Sequence, residues 1–282
     1  MTLSKQNSLK ALILGKPNVG KSTLMNSFIG EKLSIVSRKA QTTQQNITGI
    51  STDGLNQIVF VDTPGLNSIN KKTNIKETFR SAAIEADLLI YVVDDRSNSR
   101  LFESGLLKQF DQFKFNVGKK VLVVNKIEKI EKEKLLEITK EIHKKIEFDE
   151  TFYISLKKGY GTSDIFSWLR NQLKERNWEF KPNQKSNLSK EKFLCELTRE
   201  QILNKFHEEI PYNVQIEVDY MCLGKQNSIK IYQTILLKKN SYKPIILGKQ
   251  GKEIKNLSQR TRLEMGKFLK KKVHLFLKLK VI

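Results

Sequence analysis

Residues 10–23 read KALILGKPNVGKST, and the fold of the first part of the chain can be predicted from them. A short apolar run leads into the spacing G-x-x-x-x-G-K-[ST], which ends at Lys21 and Ser22. A strand before such a loop and a helical pattern after it, here residues 21–30, make the context in which this spacing predicts a phosphate-binding loop. Glycines let backbone N–H groups surround phosphate oxygens, and the start of a helix favours negative charge.

The residue types in this loop predict a nucleoside triphosphate bound with Mg²⁺. The lysine, Lys21, reaches the β- and γ-phosphates, and the hydroxyl of Ser22 is a Mg²⁺ ligand in loops of this kind. We therefore predict that the whole loop contacts nucleotide, through Gly15, Lys16, Pro17, Asn18, Val19, Gly20, Lys21, Ser22 and Thr23.

Apolar, β-branched runs alternate with helical patterns over the first part of the chain. The predicted strands are 10–15, 58–62, 88–94, 121–125 and 151–155, with 47–52 as an edge strand. The predicted helices are 21–30, 100–113, 131–147 and 162–175. Runs that are apolar on both faces are typical of a mostly parallel sheet covered by helices on both sides, so we expect an α/β domain.

The periodicity stops in the segment RNWEFKPNQKSNLSK, residues 176–190, which indicates a domain boundary. We predict a first domain over 1–176, a linker over 177–190 and a smaller α+β domain over 191–282. In the last part, helical patterns and alternating strands are predicted at 190–206, 213–223, 228–239, 254–271 and 273–281.

The charge of the chain predicts a polyanionic partner. The formal net charge at pH 7 is +21 over 282 residues, and from residue 221 onward only Glu253 and Glu264 are acidic. Such a basic region favours RNA, DNA or an anionic membrane. No apolar run reaches the roughly 18–20 residues that span a bilayer, so we expect a cytoplasmic protein. The two cysteines and three scattered histidines predict neither a disulfide framework nor a zinc site.

A second motif, Asp62-Thr63-Pro64-Gly65, stands at the end of an apolar strand. An acid in that position can hold Mg²⁺ through water, and the N–H of Gly65 can contact a γ-phosphate. Thr42 and Thr43 lie in the polar segment between the two motifs. One of the two threonines can complete the Mg²⁺ shell when the third phosphate is present, and we assign the metal to Ser22, Thr43 and Asp62.

A third motif follows the strand VLVVN and predicts that the base is guanine. Asn125 can bond guanine and brace the phosphate loop, while Lys126 can lie against the base. The carboxylate of Glu128 can accept both guanine N–H groups, although an Asp is usual at this place. Ser155, Leu156 and Lys157, after the next strand, resemble the Ser-Ala-Lys loop that contacts the guanine carbonyl through backbone N–H groups.

The segments GKPNVGKST, SRKAQTTQ, DTPGL and NKIE resemble the translation-factor-related branch of Ras-like GTPases. The segments EEIPYNVQIEV (208–218) and ILGKQGKEIKNLSQRTRLEM (246–265) are similar to the KH domain of the Era family, bacterial GTPases of ribosome biogenesis. This chain departs from that family at Gln44, where Arg is usual, and also at Glu128 and Leu156.

The resemblance implies GTP hydrolysis and contact with the 3′ end of 16S-type rRNA during maturation of the 30S subunit. It implies GTP or GDP and Mg²⁺ as cofactors, and K⁺ held with the help of Asn18. It places catalysis at Lys21, Thr42, Thr43, Asp62 and Gly65. It places RNA on the GxxG loop and the basic helix after it, at Gly248, Lys249, Gln250, Gly251, Lys252, Lys255 and Arg262.

Several alternatives fit parts of the sequence. A Der-like GTPase or a tRNA-modifying GTPase fits the first 175 residues, but the former has two phosphate loops and the latter a terminal cysteine motif. An RNA-binding module with a decayed nucleotide site is the alternative from another class, and the intact Lys21, Ser22 and Asp62 argue against it. Peripheral contact with the inner face of the cell membrane is an alternative for the basic surface. We expect a monomer.

Overall fold

The structure is a computed structural model, and it describes residues 5–35, 47–62, 81–94, 118–207 and 209–282. The chain divides into two compact units, which meet in the sequence between Asn187 and Leu188. None of the described helices combines the length and the apolar character that crossing a membrane requires.

The first unit contains a seven-stranded sheet in the order β2-β3-β1-β4-β5-β6, with β7 paired to the start of β1. Its strands are β1 (Asn7–Gly15), β2 (Ile47–Asp53), β3 (Asn56–Asp62), β4 (Leu88–Val93), β5 (Lys119–Asn125), β6 (Glu150–Ile154) and β7 (Lys174–Glu175). Its helices are α1 (Lys21–Ile29), α2 (Lys132–His143) and α3 (Thr162–Arg170). The pairs β1–β3, β1–β4, β4–β5 and β5–β6 are parallel, so the prediction of a mostly parallel α/β sheet is confirmed.

The parallel register brings the carboxyl ends of the central strands to one edge of the sheet. The strand β4 is buried along its whole length, and the last five residues of β5 are buried as well. Side chains that follow these strands therefore lie beside the phosphate loop, which leaves the same edge from β1. In such sheets ligands bind outside the carboxyl ends of the strands.

The segment after β7 runs as an ordered strap along the first unit. The Trp178 indole donates to the backbone of Asn7, and Gln57 exchanges hydrogen bonds with the backbone of Phe180. Farther on, the N–H of Ile50 donates to the carbonyl of Lys185 at 2.9 Å. The strap thereby covers the backbone of β2, which is the edge strand of the sheet and would otherwise offer unpaired groups.

The second unit packs helices against a three-stranded sheet in the order β10-β9-β8. Its elements are α4 (Lys190–Lys205), β8 (Val214–Leu223), β9 (Ile229–Leu237), α5 (Tyr242–Leu247), α6 (Lys252–Leu269) and β10 (Val273–Val281). The pair β8–β9 is antiparallel and the pair β9–β10 is parallel. One face of the sheet is closed by apolar clusters in which Ile231, Ile235 and Leu275 meet Leu194, Leu257 and Met265 of the helices.

Most predicted elements appear within two or three residues of their predicted bounds, but two helices end earlier than predicted and one short helix was not predicted. The helix predicted over 162–175 ends at Arg170, because the backbone next forms 3₁₀-type bonds and Lys174–Glu175 then pairs with β1. The helix predicted over 131–147 ends at His143. The short helix α5 was not predicted because it contains Pro244. Proline is tolerated there because it lies in the first turn of the helix, where its missing N–H removes no hydrogen bond. The helix predicted over 100–113 lies outside the described residues.

Candidate nucleotide and RNA sites

The phosphate loop joins β1 to α1 in a conformation that excludes side chains at two of its glycines. Gly15 has φ +148°, and a Cβ there would lie 2.3 Å from the Val92 carbonyl oxygen. Gly20 has φ +111°, and a Cβ there would lie 2.4 Å from the side-chain nitrogen of Asn125. The two glycines therefore let the loop pack directly against the ends of β4 and β5, as a phosphate cradle requires.

Lys21 is buried under this loop. Its Nζ donates to the carbonyl oxygens of Gly15 at 3.1 Å and Lys16 at 2.9 Å. Burial lowers the pKa of the Lys21 ammonium, and the opposing attraction of Asp62 does not cancel this effect. A buried cation of this kind gains stability when an anion is added beside it, so Lys21 is placed to receive phosphate charge.

Two of the three predicted metal ligands lie next to each other. The hydroxyl of Ser22 donates to Oδ2 of Asp62 at 2.5 Å, and the buried Ser34 donates to the same oxygen at 3.1 Å. Asn26 fixes Ser34, because its side-chain oxygen accepts the Ser34 N–H at 2.9 Å. Thr43, the third predicted ligand, lies outside the described residues, and so do Thr42, Thr63, Pro64 and Gly65.

Asn125 ties the phosphate loop to the loop after β6. Its side-chain nitrogen donates to the carbonyl of Val19 at 2.8 Å, and its side-chain oxygen accepts the N–H of Leu156 at 3.2 Å. The side chain is almost fully buried. The three loops that the sequence predicted to surround a nucleotide are therefore held together by one amide group.

Lys126 is held from two sides beside the same loops. Its Nζ donates to the Asn18 carbonyl at 2.8 Å and pairs with the carboxylate of Asp94 at 2.6 Å. Asp94 follows β4 and is buried. The backbone of Lys126 has φ +64°, a conformation that a non-glycine residue adopts rarely and that often marks a functional site. These contacts fix the aliphatic chain of Lys126 in one position.

Glu128 carries the acidic group predicted to read the base. Its Oε2 is buried, and within the described part of the chain it has no hydrogen-bond partner. Burial acts to raise the pKa of Glu128, but the Ser155 hydroxyl, its own backbone N–H, Lys129 and Lys157 together outweigh burial, so the pKa is below its usual value. The group is therefore ionised at neutral pH, with one oxygen left to accept a hydrogen bond.

These residues fit a guanine nucleotide. The cradle has no room for side chains at Gly15 and Gly20, which suits close approach of backbone to phosphate. The buried, unpaired oxygen of Glu128 suits a ligand that donates hydrogen bonds, since such an atom is costly to leave unsatisfied. Guanine presents two adjacent N–H donors, whereas adenine does not. Among the described residues, the predicted nucleotide contacts thus gather at one edge of the sheet.

The GxxG loop of the second unit lies between α5 and α6. Gly248 has φ +71°, and a Cβ there would lie 2.3 Å from the side chain of Glu253. Gln250 and Gly251 also have positive φ, and Lys249, Gln250 and Lys252 are exposed. Lys255 and Arg262 are exposed farther along α6. This geometry brings backbone N–H groups and positive charge to the start of one helix, which favours phosphate.

The sequence did not point to Asp94, Ser34 or Asn26 as parts of the site. Asp94 directly follows a buried strand, much as Asp62 and Asn125 end one, and that position was the signal available for it. Ser34 and Asn26 gave no signal, because their role depends on how the chain after α1 folds back toward β3.

Two family models match the chain, one for each unit. A model described as 50S ribosome-binding GTPase matches residues 10–147, and a model described as KH domain matches residues 209–282. A GTPase Era from Dinoroseobacter shibae is 34% identical over 271 residues, which are 95% of this chain and 88% of the relative. A GTPase Era from Bradyrhizobium sp. is 36% identical over 271 residues, or 95% and 87% of the two chains.

Two solved structures resemble the whole chain. A crystal structure of Aquifex aeolicus Era bound to GDP·AlF4⁻ has a TM-score of 0.88 and 30% identity, over 98% of this chain and 94% of the other. A crystal structure of Era in complex with MgGDPNP and nucleotides 1506–1542 of 16S ribosomal RNA has a TM-score of 0.86 and 30% identity, over the same shares. With relatives of this similarity over nearly its full length, the chain belongs to the GTPase Era family.

Proposed function

We propose that this protein is a GTP-hydrolysing switch that binds the 3′ end of small-subunit rRNA through its KH unit and assists assembly of the 30S subunit. The contacts of Asn125 carry the nucleotide part of the proposal, because they join the phosphate loop to the loops that would read guanine. The relative solved with MgGDPNP and 16S rRNA nucleotides supports the RNA part. Contact with an anionic membrane, a monomeric state and a cytoplasmic location stay predictions from the sequence.

The residues of the site have separate tasks in this mechanism. Bound GTP supplies the γ-phosphoryl group that is transferred to water. Lys21 stabilises negative charge at the phosphate loop, and Ser22 and Asp62 would hold Mg²⁺ there. Lys126 and Glu128 orient the base. The hydrogen bonds of Asn125 hold the loops that follow β5 and β6 against the phosphate loop. The site thus acts by positioning and charge, the two effects on which phosphoryl transfer depends.

Hydrolysis of GTP and ATP by the full chain, with and without Mg²⁺, tests this proposal. We expect turnover of GTP that a chelator abolishes, and loss of turnover in Lys21→Ala and Asp62→Ala. Lys140→Ala, which changes an exposed lysine on α2, is the matched control and should behave as wild type. ATP turnover equal to GTP turnover would contradict the assignment of guanine.

We also propose that K⁺ assists hydrolysis. Leu66 follows the DTPG motif, where Ras-like proteins have a glutamine that orients water, and leucine cannot polarise water. Asn18 has φ +66° in the phosphate loop, and it is the residue assigned to K⁺. Turnover should be faster in KCl than in matched NaCl, and Asn18→Ala should remove the difference. Equal rates in the two salts for the wild type would rule out this role.

A further inference from the structure

Three aromatic rings stack in a row across the sheet of the KH unit. The strand register places Tyr220 of β8, Tyr232 of β9 and Phe276 of β10 side by side. The ring centroids are 4.1 Å apart for the first pair and 4.6 Å for the second, with planes inclined by 16° and 12°. We call these three residues the aromatic column.

The aromatic column lies on the face of the sheet that the helices of this unit do not cover. Ile231 and Leu275, the residues just before Tyr232 and Phe276, are buried against α4 and α6. Because successive side chains of a strand point to opposite faces, Tyr232 and Phe276 point away from those helices. Tyr220 is 54% exposed and Phe276 is 46% exposed. Each end of the column therefore presents ring surface to solvent.

The column is a fixed feature of this face. Both pairs of neighbouring rings lie at stacking distance with nearly parallel planes, so each outer ring is packed against Tyr232. The row on one side of the column contains Lys230 and His274, and the row on the other side contains Thr234 and Lys278. The aromatic surface is thus one ring wide and is bounded by polar groups.

The two ends of the column differ in charge. At the β8 end the exposed acids Glu217 and Asp219 lie on one side of Tyr220, and the exposed, uncharged Cys222 lies on the other. Asp219 accepts a hydrogen bond from Thr234 at 2.9 Å. At the β10 end, Lys278 and Lys280 are exposed and lie on the same face as Phe276. Their spacing along the strand is about 6.6 Å, so two cations follow the ring in a line.

We infer that the Phe276 end of the aromatic column stacks an unpaired base of single-stranded RNA, while Lys278 and Lys280 contact phosphates of the same strand. Stacking on aromatic rings beside a basic track is how proteins hold single strands. The surface lies opposite the helices that carry the GxxG loop, so it is a second RNA contact. A membrane or an apolar protein surface would need a wider apolar area than one row of rings.

Binding of two probes to the full chain tests this inference. One probe is single-stranded oligoadenylate of about a dozen nucleotides, and the other is an abasic strand of the same length. Phe276→Leu should weaken oligoadenylate binding about tenfold, and Phe276→Trp should restore it. The abasic strand should bind weakly and equally to all three proteins. Leu223→Ala is the control, because it shortens an exposed apolar side chain on a different strand, β8. This variant should bind oligoadenylate as tightly as the wild type.

The same measurements in the Lys249→Asp, Gln250→Asp background separate this surface from the GxxG loop. The residual oligoadenylate binding should still fall when Phe276 is replaced by Leu, and the fluorescence of Phe276→Trp should still change when the probe is added. The inference is wrong if Phe276→Leu binds oligoadenylate as tightly as the wild type in both backgrounds. It is equally wrong if Phe276→Leu weakens binding of the abasic strand as much as it weakens binding of oligoadenylate. It is also wrong if Phe276→Leu instead affects only sedimentation with anionic vesicles or self-association. Circular dichroism of each variant checks that the sheet is intact.

Discussion

At the scale of single residues, Glu128 decides how the base is read. A carboxylate on a longer side chain can make the same two charge-assisted hydrogen bonds as an aspartate, and such bonds are the stronger kind. The extra methylene adds a rotor whose ordering opposes binding by about 0.5–1 kcal/mol. The Ser155 hydroxyl and the nearby lysines offset part of this effect, because they hold the carboxylate in its ionised form.

Glu128→Asp should therefore bind GDP and GTP as tightly as the wild type or up to about fivefold more tightly. Glu128→Ala should lose most of the preference for guanine over adenine. Calorimetric titration with GDP and ADP measures both effects. Glu133→Asp, on the exposed side of α2, is the control for the change of acid. A wild type that binds ADP as well as GDP would contradict the role given to this carboxylate.

At the scale of elements, the phosphate loop depends on close packing at Gly20. In Gly20→Ala the new Cβ would collide with Asn125, and the backbone would be strained at φ +111°. The hydrogen bonds that Asn125 makes with Val19 and Leu156 should therefore break. Nucleotide affinity should fall at least a hundredfold, corresponding to the loss of about 2.7 kcal/mol.

Gly30→Ala is the matched control for that loop. Gly30 ends α1 with φ +74°, but a Cβ there would meet no atom within 4 Å. The substitution should lower the free energy of unfolding by about 1 kcal/mol through backbone strain and leave GDP affinity unchanged. If both variants bind GDP as wild type, the phosphate loop does not need the close approach at Gly20.

Asp87 joins three elements at the opposite edge of the sheet and predicts a pH dependence of stability. It accepts the N–H of Lys10 at 2.9 Å and pairs with Lys174 at 3.1 Å and Arg176 at 2.8 Å. Burial acts to raise its pKa, but these three partners outweigh burial and set the pKa below its ordinary value of 3.8. The stabilisation is therefore complete above pH 3.8 and is lost as the pH falls through the lowered pKa.

Asp87→Asn should reduce the free energy of unfolding by about 1–2 kcal/mol at neutral pH, as expected for a charge-assisted network that is partly exposed. The difference from the wild type should shrink as the pH is lowered below 3.8. Urea denaturation of both proteins across this range measures it. Asp149→Asn removes a carboxylate that also accepts a backbone N–H but is exposed, and it should have a smaller effect. A difference that grows toward low pH would contradict a lowered pKa of Asp87 in the folded protein.

The sequence predicted the elements better than their connections. The strands β3, β4 and β5 were predictable because their apolar runs reflect burial on both faces, and the phosphate loop because its glycines are required by the backbone. The pairing of Lys126 with Asp94 was not predictable, since it depends on the register of β4 against β5. The strap before Asn187 was not predictable either, because backbone groups make several of its contacts with β2.

At the scale of the whole molecule, we propose that the first unit binds and hydrolyses guanine nucleotide and that the second unit binds RNA. The exposed GxxG loop allows the two activities to be separated, because Lys249 and Gln250 are exposed and far along the chain from every predicted nucleotide contact. Two carboxylates placed there would repel the phosphates of a bound strand, and they leave the buried core of the unit unchanged.

The most direct test is one measurement on Lys249→Asp, Gln250→Asp and the wild type: affinity for single-stranded RNA of the small-subunit 3′ end, with GTP turnover followed in the same samples. RNA affinity should fall at least a hundredfold in the folded double variant, while GTP turnover without RNA should stay near that of the wild type. Binding of the wild type should also weaken steeply as salt is raised. If RNA affinity persists in the folded double variant, the GxxG loop is not the part of the protein that binds this RNA.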